Sequence, residues 1–339
     1  MNETKKALIA MSGGVDSSVA AKLTQDAGYE CIGCMMKLYD LSDEGAIVTD
    51  SCGCAASDGS AGCLIDEKRS RTCCSADDAE DARSVAYRLG MPFYVFNFKD
   101  DFRKKVIDRF VESYLAGITP NPCIECNRYL KFDRLWERAK VLGCEKIVTG
   151  HYARIIKGRN RYELHKGLDA SKDQSYVLFR LTQELLAHTL FPLGEMTKEE
   201  SRRIADANGF VNASKPDSQD ICFVPDGDYA AVIRRYSNAE IPGGDFVDTG
   251  GKVLGRHKGI IHYTIGQRRG LGISAENPLY VVGIDVPGNK VILGSNEDLF
   301  SREVKVGDFN WIPGGEPADA TPCLGRIRYH HKEQPGLLY

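Results

Sequence analysis

An apolar run, Ala7 to Met11, breaks at Ser12-Gly13-Gly14-Val15-Asp16-Ser17-Ser18, and a helical pattern runs on from Ser17 to Asp26. A strand that passes into a helix through a glycine-rich loop turns backbone N–H groups and the helix N-terminus toward one point, where an anion can sit. It also commits the chain to a layered α/β arrangement, because the alternation continues. Cys31 to Met36 reads as a strand, Asp77 to Leu89 as a helix and Phe93 to Phe98 as a strand. Such alternation argues for βαβ units and a parallel sheet. Gly28, Gly90 and Gly143 follow the helical stretches, where a left-handed C-cap residue belongs. A helical pattern from Arg128 to Leu142 then leads into strand-like Lys146 to Thr149 and the turn Gly150-His151-Tyr152. Ligands of such folds gather at strand C-termini.

After about residue 208 the helical alternation stops and short β-like runs follow, separated by Gly, Pro and Asp. Leu279 to Asp285 and Lys290 to Gly294 flank Val286-Pro287-Gly288-Asn289, which reads as a hairpin. The expected division is therefore an α/β, Rossmann-like parallel-sheet domain over 1–208, a small central domain over 209–272 and a C-terminal β-barrel-like domain over 273–339. A length of 339 residues, beyond what one core usually organises, agrees with several domains. Residues 41–72 form an irregular insertion rich in Gly, Ser, Asp and Cys, too polar for core. No apolar run approaches a membrane span and Met1 to Lys6 leads straight into a strand, so the chain reads as cytoplasmic.

In such a compartment thiols stay reduced, so twelve cysteines point to metal, cluster or redox chemistry before structural disulfides. Two stand in loops. Thr119-Pro120-Asn121-Pro122-Cys123-Ile124-Glu125-Cys126-Asn127 is a proline-bounded turn that presents C-x-x-C just before a helical pattern, and a thiol at a helix N-terminus is partly thiolate near neutral pH. Ser218-Gln219-Asp220-Ile221-Cys222-Phe223 carries a lone cysteine. Cys31, Cys34, Cys144 and Cys323 fall in strand-like or apolar settings and read as core. Cys52, Cys54, Cys63, Cys73 and Cys74 crowd the insertion without a standard zinc spacing.

The loop at Ser12 is neither G-x-x-x-x-G-K-[ST] nor G-x-G-x-x-G; it resembles the PP-loop of ATP pyrophosphatases, which cleave ATP between the α and β phosphates. The resemblance implies ATP and Mg²⁺ at Ala10, Met11, Ser12, Gly13, Gly14, Val15, Asp16, Ser17 and Ser18. Adenylation suits a reaction in which a carbonyl oxygen must depart, although ligases that form amides use the same loop. Taken with the two cysteine loops, nearly the whole chain resembles the tRNA-specific 2-thiouridylase family: Ala10 to Ser18, Met36-Lys37, Asn121 to Phe132, Gly150 to Arg154, Lys172 to Leu178, Phe191 to Met196, Ser218 to Phe223 and Gly259 to Leu271.

That resemblance implies ATP-dependent 2-thiolation of uridine 34 in tRNA, expected for the tRNAs of Lys, Glu and Gln. Cys222 matches the cysteine that receives a persulfide from a cysteine desulfurase or sulfur-relay protein. Cys126 matches the nucleophile that attacks it and ends in a disulfide with Cys222. Met36 and Gly150 are expected near the adenine, and Asn121, Pro122 and Cys123 near the target base. His151, Lys172-Asp173-Gln174 and Arg328-Tyr329 match positions that face tRNA. Many family members carry Asp where this chain has Cys123, so three thiolates, Cys123, Cys126 and Cys222, could instead hold a [4Fe–4S] cluster with one open iron. The family also usually continues through further β-strands beyond the position of Tyr339, so an incomplete barrel is expected.

A net charge of −3 excludes a broadly basic coat, but Lys252, Arg256, Lys258, Arg268 and Arg269, interleaved with His257, His262 and Tyr263, form a local basic stretch suited to RNA. The competing readings are another PP-loop ligase, which needs no paired loop cysteines, and a non-catalytic RNA-binding iron–sulfur protein, which needs no intact PP-loop.

Overall fold

The computed structural model describes residues 5–39, 76–217, 221–224, 227–312, 314–317 and 319–339. The cysteine-rich insertion, with Cys52, Cys54, Cys63, Cys73 and Cys74, lies outside them. The N-terminal part follows the expected alternation: β1 (Lys6–Ala10), α1 (Val15–Asp26), β2 (Glu30–Lys37), α2 (Ala76–Arg88) and β3 (Phe93–Asn97). Gly28, Gly90 and Gly143 all take positive φ, as C-cap glycines do. Next come α3 (Lys99–Phe102) and α4 (Asp108–Leu115), joined by a π-helical stretch, Arg103–Ile107. A second π stretch, Asn127–Arg134, joins α5 (Pro122–Cys126) to α6 (Leu135–Val141), and β4 (Lys146–Val148) follows. A hairpin of β5 (Ala153–Lys157) and β6 (Tyr162–Lys166), then α7 (Gln183–Ala187), β7 (Thr189–Leu190) and α8 (Lys198–Ala207) complete this part.

The five strands order as β3-β2-β1-β4-β7, every neighbouring pair parallel. Both faces are covered. Ala7, Ile9, Met35 and Val148 pack beneath α1 and α2 with Val19, Ala82 and Val85. Leu8, Ile32, Met36 and Ile147 pack against Phe102, Phe110, Leu130, Phe132 and Leu135 on the other side. Burial on both faces explains why these strands read as continuous apolar runs. Strand order reverses between β1 and β4, so the crevice where ligands bind in such sheets opens between the loop after β1 and the turn after β4.

Beyond residue 208 the chain does not stay purely β. Asp228 caps α9 (Tyr229–Tyr236) by accepting from Ala231 N at 2.9 Å, and Ala230 and Ile233 bury the helix against the first domain's core. Then β8 (Gly244–Asp248), β9 (Val253–His257), β10 (Tyr280–Asp285) and β11 (Lys290–Gly294) form one sheet in the order β10-β11-β8-β9, with β11 and β8 parallel. The hairpin expected at 286–289 joins β10 and β11. This sheet takes strands from both sides of position 272 and closes over Phe246, Tyr263, Val281, Val291 and Leu293. β12 (Thr321–Gly325) and β13 (Gln334–Leu338) form a separate ribbon. Among the described residues these strands do not close into a barrel.

Candidate functional site

The loop after β1 is shaped by what cannot be there. Gly13 has φ +73°, and a Cβ on it would lie 2.3 Å from the backbone oxygen of Asp78, so only glycine fits. Gly14 is the extended N-cap of α1 and no side chain caps the helix, which leaves its first N–H groups directed at the crevice. Ser17 and Ser18 turn inward, each donating its hydroxyl to Gly14 O at 3.1 Å. From behind, Asn212 Nδ2 donates to Gly13 O at 3.0 Å and to Ser18 Oγ at 2.9 Å, while Lys215 pairs with Asp78 and Asp81 at 2.6 and 2.7 Å. The turn after β4 closes the crevice: a Cβ on Gly150 would lie 2.7 Å from the carbonyl carbon of Asp16. Met11, just past the end of β1, and Met36 on β2 are buried. A glycine cradle with an uncapped helix N-terminus fits a polyphosphate.

Asp16, the carboxylate of this loop, is held by Lys198, whose Nζ reaches its two oxygens at 2.7 and 2.8 Å, and by the hydroxyl of Tyr152 at 2.8 Å. Lys198 also pairs with Asp217 at 2.7 Å, and Asp217 in turn pairs with Lys172 at 2.8 Å and Arg202 at 3.1 Å. Burial works to raise the Asp217 pKa, but hydrogen bonds from Lys172 and Lys198 carry it below the usual carboxylate range.

The cysteines sit on the opposite helical layer. Asn121 caps α5 by accepting from Cys123 N at 3.1 Å, with Pro122 at the first helical position, so Cys123 stands exposed in the first turn. Cys126, at the end of α5, is buried, and Cys222 is partly buried against the same core, its backbone oxygen accepting from the Tyr39 hydroxyl. Among the described residues no three His, Cys, Asp or Glu side chains come together to hold a metal, and Cys123, Cys126 and Cys222 are all described. The donor set for a [4Fe–4S] cluster is therefore not assembled among the described residues. Cys31, Cys34 and Cys144 are buried, as expected; burial pushes the thiols of Cys31 and Cys144 up to about 11, with Cys144 adding to the effect at Cys31 and Lys6 opposing it at Cys144. Cys323, read as core, is exposed on β12, where the ribbon has no covering layer.

The remaining expected residues divide by which way their side chains face. Asp173 is buried and organises its own turn, accepting from Gly167 N at 3.1 Å and Ser175 Oγ at 2.9 Å. Gln174 Oε1 accepts from Tyr152 N at 3.0 Å. His151 is buried between Phe132 and Phe191 with Nδ1 2.6 Å from Thr149 Oγ1, and burial, then Lys131, drives its pKa far down. Each of these side chains thus has a hydrogen-bond partner within the protein. Gln174 is partly exposed as well, and the Lys172 side chain is 35% exposed.

The C-terminal segment folds back onto the same turn. Arg326 reaches Asp173 Oδ2 at 3.2 Å, the Tyr329 hydroxyl donates to Asp173 O at 3.0 Å, and Tyr176 donates to Ile327 O at 3.1 Å. Tyr329's hydroxyl is pushed up by burial first, then by Asp173, with Cys123 close enough to add to the effect. Arg328 donates to Ile265 O, and Thr119 donates to Thr264 Oγ1 at 3.0 Å. Residues 119–123, 172–176, 264–265 and 326–329 therefore converge around Cys123. In the basic stretch, His257 and Tyr263 belong to the second sheet's core and Arg256 pairs with Asp245 at 2.8 Å. Sequence reasoning missed Lys198, Asn212, Lys215, Asp217 and Arg326. Only Lys198 left a signal, since it follows the cap of a Thr197/Glu200 capping box.

Fold and loop together define a HUP-type α/β nucleotide-loop domain followed by a second, smaller domain. A family model described as the tRNA methyl transferase HUP domain matches residues 5–63 and 60–226, and one described as the tRNA methyl transferase PRC-barrel domain matches 230–295. The relative "tRNA-specific 2-thiouridylase MnmA" of Clostridioides difficile is 45% identical over 99% of this chain and 87% of its own. Its namesake in Lachnoclostridium phytofermentans is 46% identical over 97% of this chain and 87% of its own. "tRNA-specific 2-thiouridylase MnmA 2" of Caldanaerobacter subterraneus is 46% identical over 100% and 88%. The chain belongs to the MnmA family of tRNA-specific 2-thiouridylases. Among the described residues no helix is long and apolar enough to cross a membrane.

Proposed function

We propose that this chain is the sulfurtransferase that thiolates the 2-position of uridine 34 in tRNA, expected for the tRNAs of Lys, Glu and Gln. The observation that carries this reading is identity of 45–46% to named 2-thiouridylases along 97–100% of the chain. The loop amides of Ser12 to Ser18 hold the phosphates of ATP, with Asp16 as the carboxylate available to Mg²⁺, which when bound neutralises charge on the departing pyrophosphate. The uridine C2 oxygen attacks the α-phosphorus and pyrophosphate leaves, so that AMP becomes the leaving group at C2.

Sulfur arrives as a persulfide on Cys222, donated by a cysteine desulfurase or relay protein. The Cys126 thiolate attacks the inner sulfur, a Cys126–Cys222 disulfide forms and hydrosulfide is released. Hydrosulfide adds to C2, the C2–O bond breaks and AMP departs. An external dithiol returns the disulfide to two thiols. The burial of Cys126 and the partial burial of Cys222 in one core support a reaction shielded from solvent.

The test uses unmodified tRNA transcript, ATP, Mg²⁺ and a persulfide donor, with pyrophosphate release and 2-thiouridine followed together. Cys126→Ser and Cys222→Ser should each lower thiolation at least about 100-fold, the scale at which a required nucleophile is lost. Pyrophosphate release should persist in both. Retained thiolation in either variant sinks the paired-cysteine chemistry, and absence of pyrophosphate release in the unaltered protein sinks the adenylation.

A further inference from the structure

Asp217 is the hub between two parts of the site that share no other ion pair among the described residues. Its Oδ1 meets Lys198 Nζ at 2.7 Å and Arg202 at 3.1 Å, and its Oδ2 meets Lys172 at 2.8 Å. Lys198, with a side chain 10% exposed, spends the same charge on both oxygens of the loop carboxylate Asp16. Three cations thus serve two carboxylates. Arg202 is tethered to the backbone oxygens of Ala213 and Lys215 at 3.1 and 3.2 Å, which leaves Lys198 and Lys172 as the members able to redistribute.

When Asp16 turns toward a loop-bound Mg²⁺, Lys198 loses one of its two carboxylates and Asp217 becomes its remaining anion. Asp217 then faces an undivided Lys198 charge, and Lys172, repelled by it and one-third exposed, is the side chain with room to leave. Lys172 begins the turn whose Asp173 and Tyr176 hold the Cys123 side of the molecule through Arg326 and Tyr329. The geometry points to Asp217 as a positioning residue that ties nucleotide occupancy of the Ser12–Ser18 loop to release of Lys172, so that a nucleic-acid phosphate meets a free lysine only once the nucleotide is in place. This rests on the tRNA reading above and adds an order to it.

Linkage makes the effect measurable as a ratio of affinities. The Kd of unmodified tRNA transcript would be measured with and without Mg²⁺ and α,β-methylene ATP, which fills the loop without being cleaved. The unaltered protein should bind tRNA about 5- to 10-fold more tightly with the nucleotide, the low end of ordinary coupling. Asp217→Asn should bind at the tight value already without nucleotide, its ratio falling to about one. Lys172→Met, a change at a partly exposed side chain, should also show a ratio of about one but at the weak value. Opposite baselines with the same lost ratio would not come from general destabilisation. A protein that thiolates tRNA yet shows no ratio, or whose ratio survives in Asp217→Asn, overturns this inference alone. A protein that neither binds nor thiolates tRNA overturns the proposed function and this inference with it.

Discussion

The nucleotide loop and the cysteine-bearing face are built in opposite ways. The loop is one contiguous stretch, Ser12 to Ser18, braced from behind by Asn212, closed by Gly150 and shaped by a glycine whose missing side chain makes room for Asp78. The cysteine face is assembled from four distant stretches, and Cys123 projects from a helix of only five residues. Chemistry that relies on backbone amides cannot be re-aimed by a side-chain rotation, so its support has to be rigid before the ligand arrives. A face built from side chains and long-range hydrogen bonds can rearrange around a large substrate.

The strongest way to break this contrast is Gly13→Ala. The added methyl meets the Asp78 backbone oxygen and the left-handed φ disfavours it, so the loop must move. ATP affinity should fall about 100-fold, equivalent to about 3 kcal/mol, measured by calorimetry. The alkylation rate of Cys123 should stay within about twofold of the unaltered protein. Equal damage to both would mean that the two regions are one rigid unit.

The same contrast decides what could be read from residue order. The parallel sheet, its C-cap glycines and the anion loop were legible because each is written in a few neighbouring residues. Asn212, Lys215 and Asp217 were not: Asn212 braces Gly13 and Ser18 and Lys215 pairs with Asp78 and Asp81 from far along the chain, and nothing in the spacing of Asp217 to Lys172, Lys198 and Arg202 marks it as their shared partner. His151 and Asp173 entered only through the family resemblance, and residue order does not show that each also satisfies a buried hydrogen-bond partner. The helix Tyr229–Tyr236 was hidden among β-like runs because it is short and only its cap, Asp228, announces it. C-x-x-C and a lone cysteine do not by their spacing specify that three sulfurs meet, and among the described residues no such group of three is assembled.

A smaller effect is expected from Asn212→Ala, which sharpens the contrast by removing a brace and leaving the loop itself intact. Gly13 O and Ser18 Oγ lose their shared donor in a buried setting, which costs about 1–3 kcal/mol. The urea midpoint should fall accordingly, and ATP affinity should drop several-fold with no change in Cys123 alkylation. An unchanged midpoint would show that the loop holds its shape without Asn212.

The smallest effect probes the region where the two halves touch. His151 follows the Gly150 turn that closes the nucleotide crevice, and its ring packs on Phe132 of the π-helical stretch that continues from α5. Burial, then Lys131, holds its folded pKa well below the ordinary value of about 6.5. Below that value the unfolded chain binds a proton that the folded chain refuses, so the contribution is fully present above about pH 6.5 and is lost as the pH falls toward the folded pKa. Between pH 7.5 and 5.5 this one proton should remove on the order of 1 kcal/mol of stability, a loss that His151→Gln should escape. Urea denaturation of both proteins at the two pH values measures the difference. His257 and His262 are also held low by burial and add to the slope in both proteins, so only the difference between them reports His151. If that difference vanishes, the imidazole is protonated in place, and the junction between loop and cysteine helix is open enough to admit a charge.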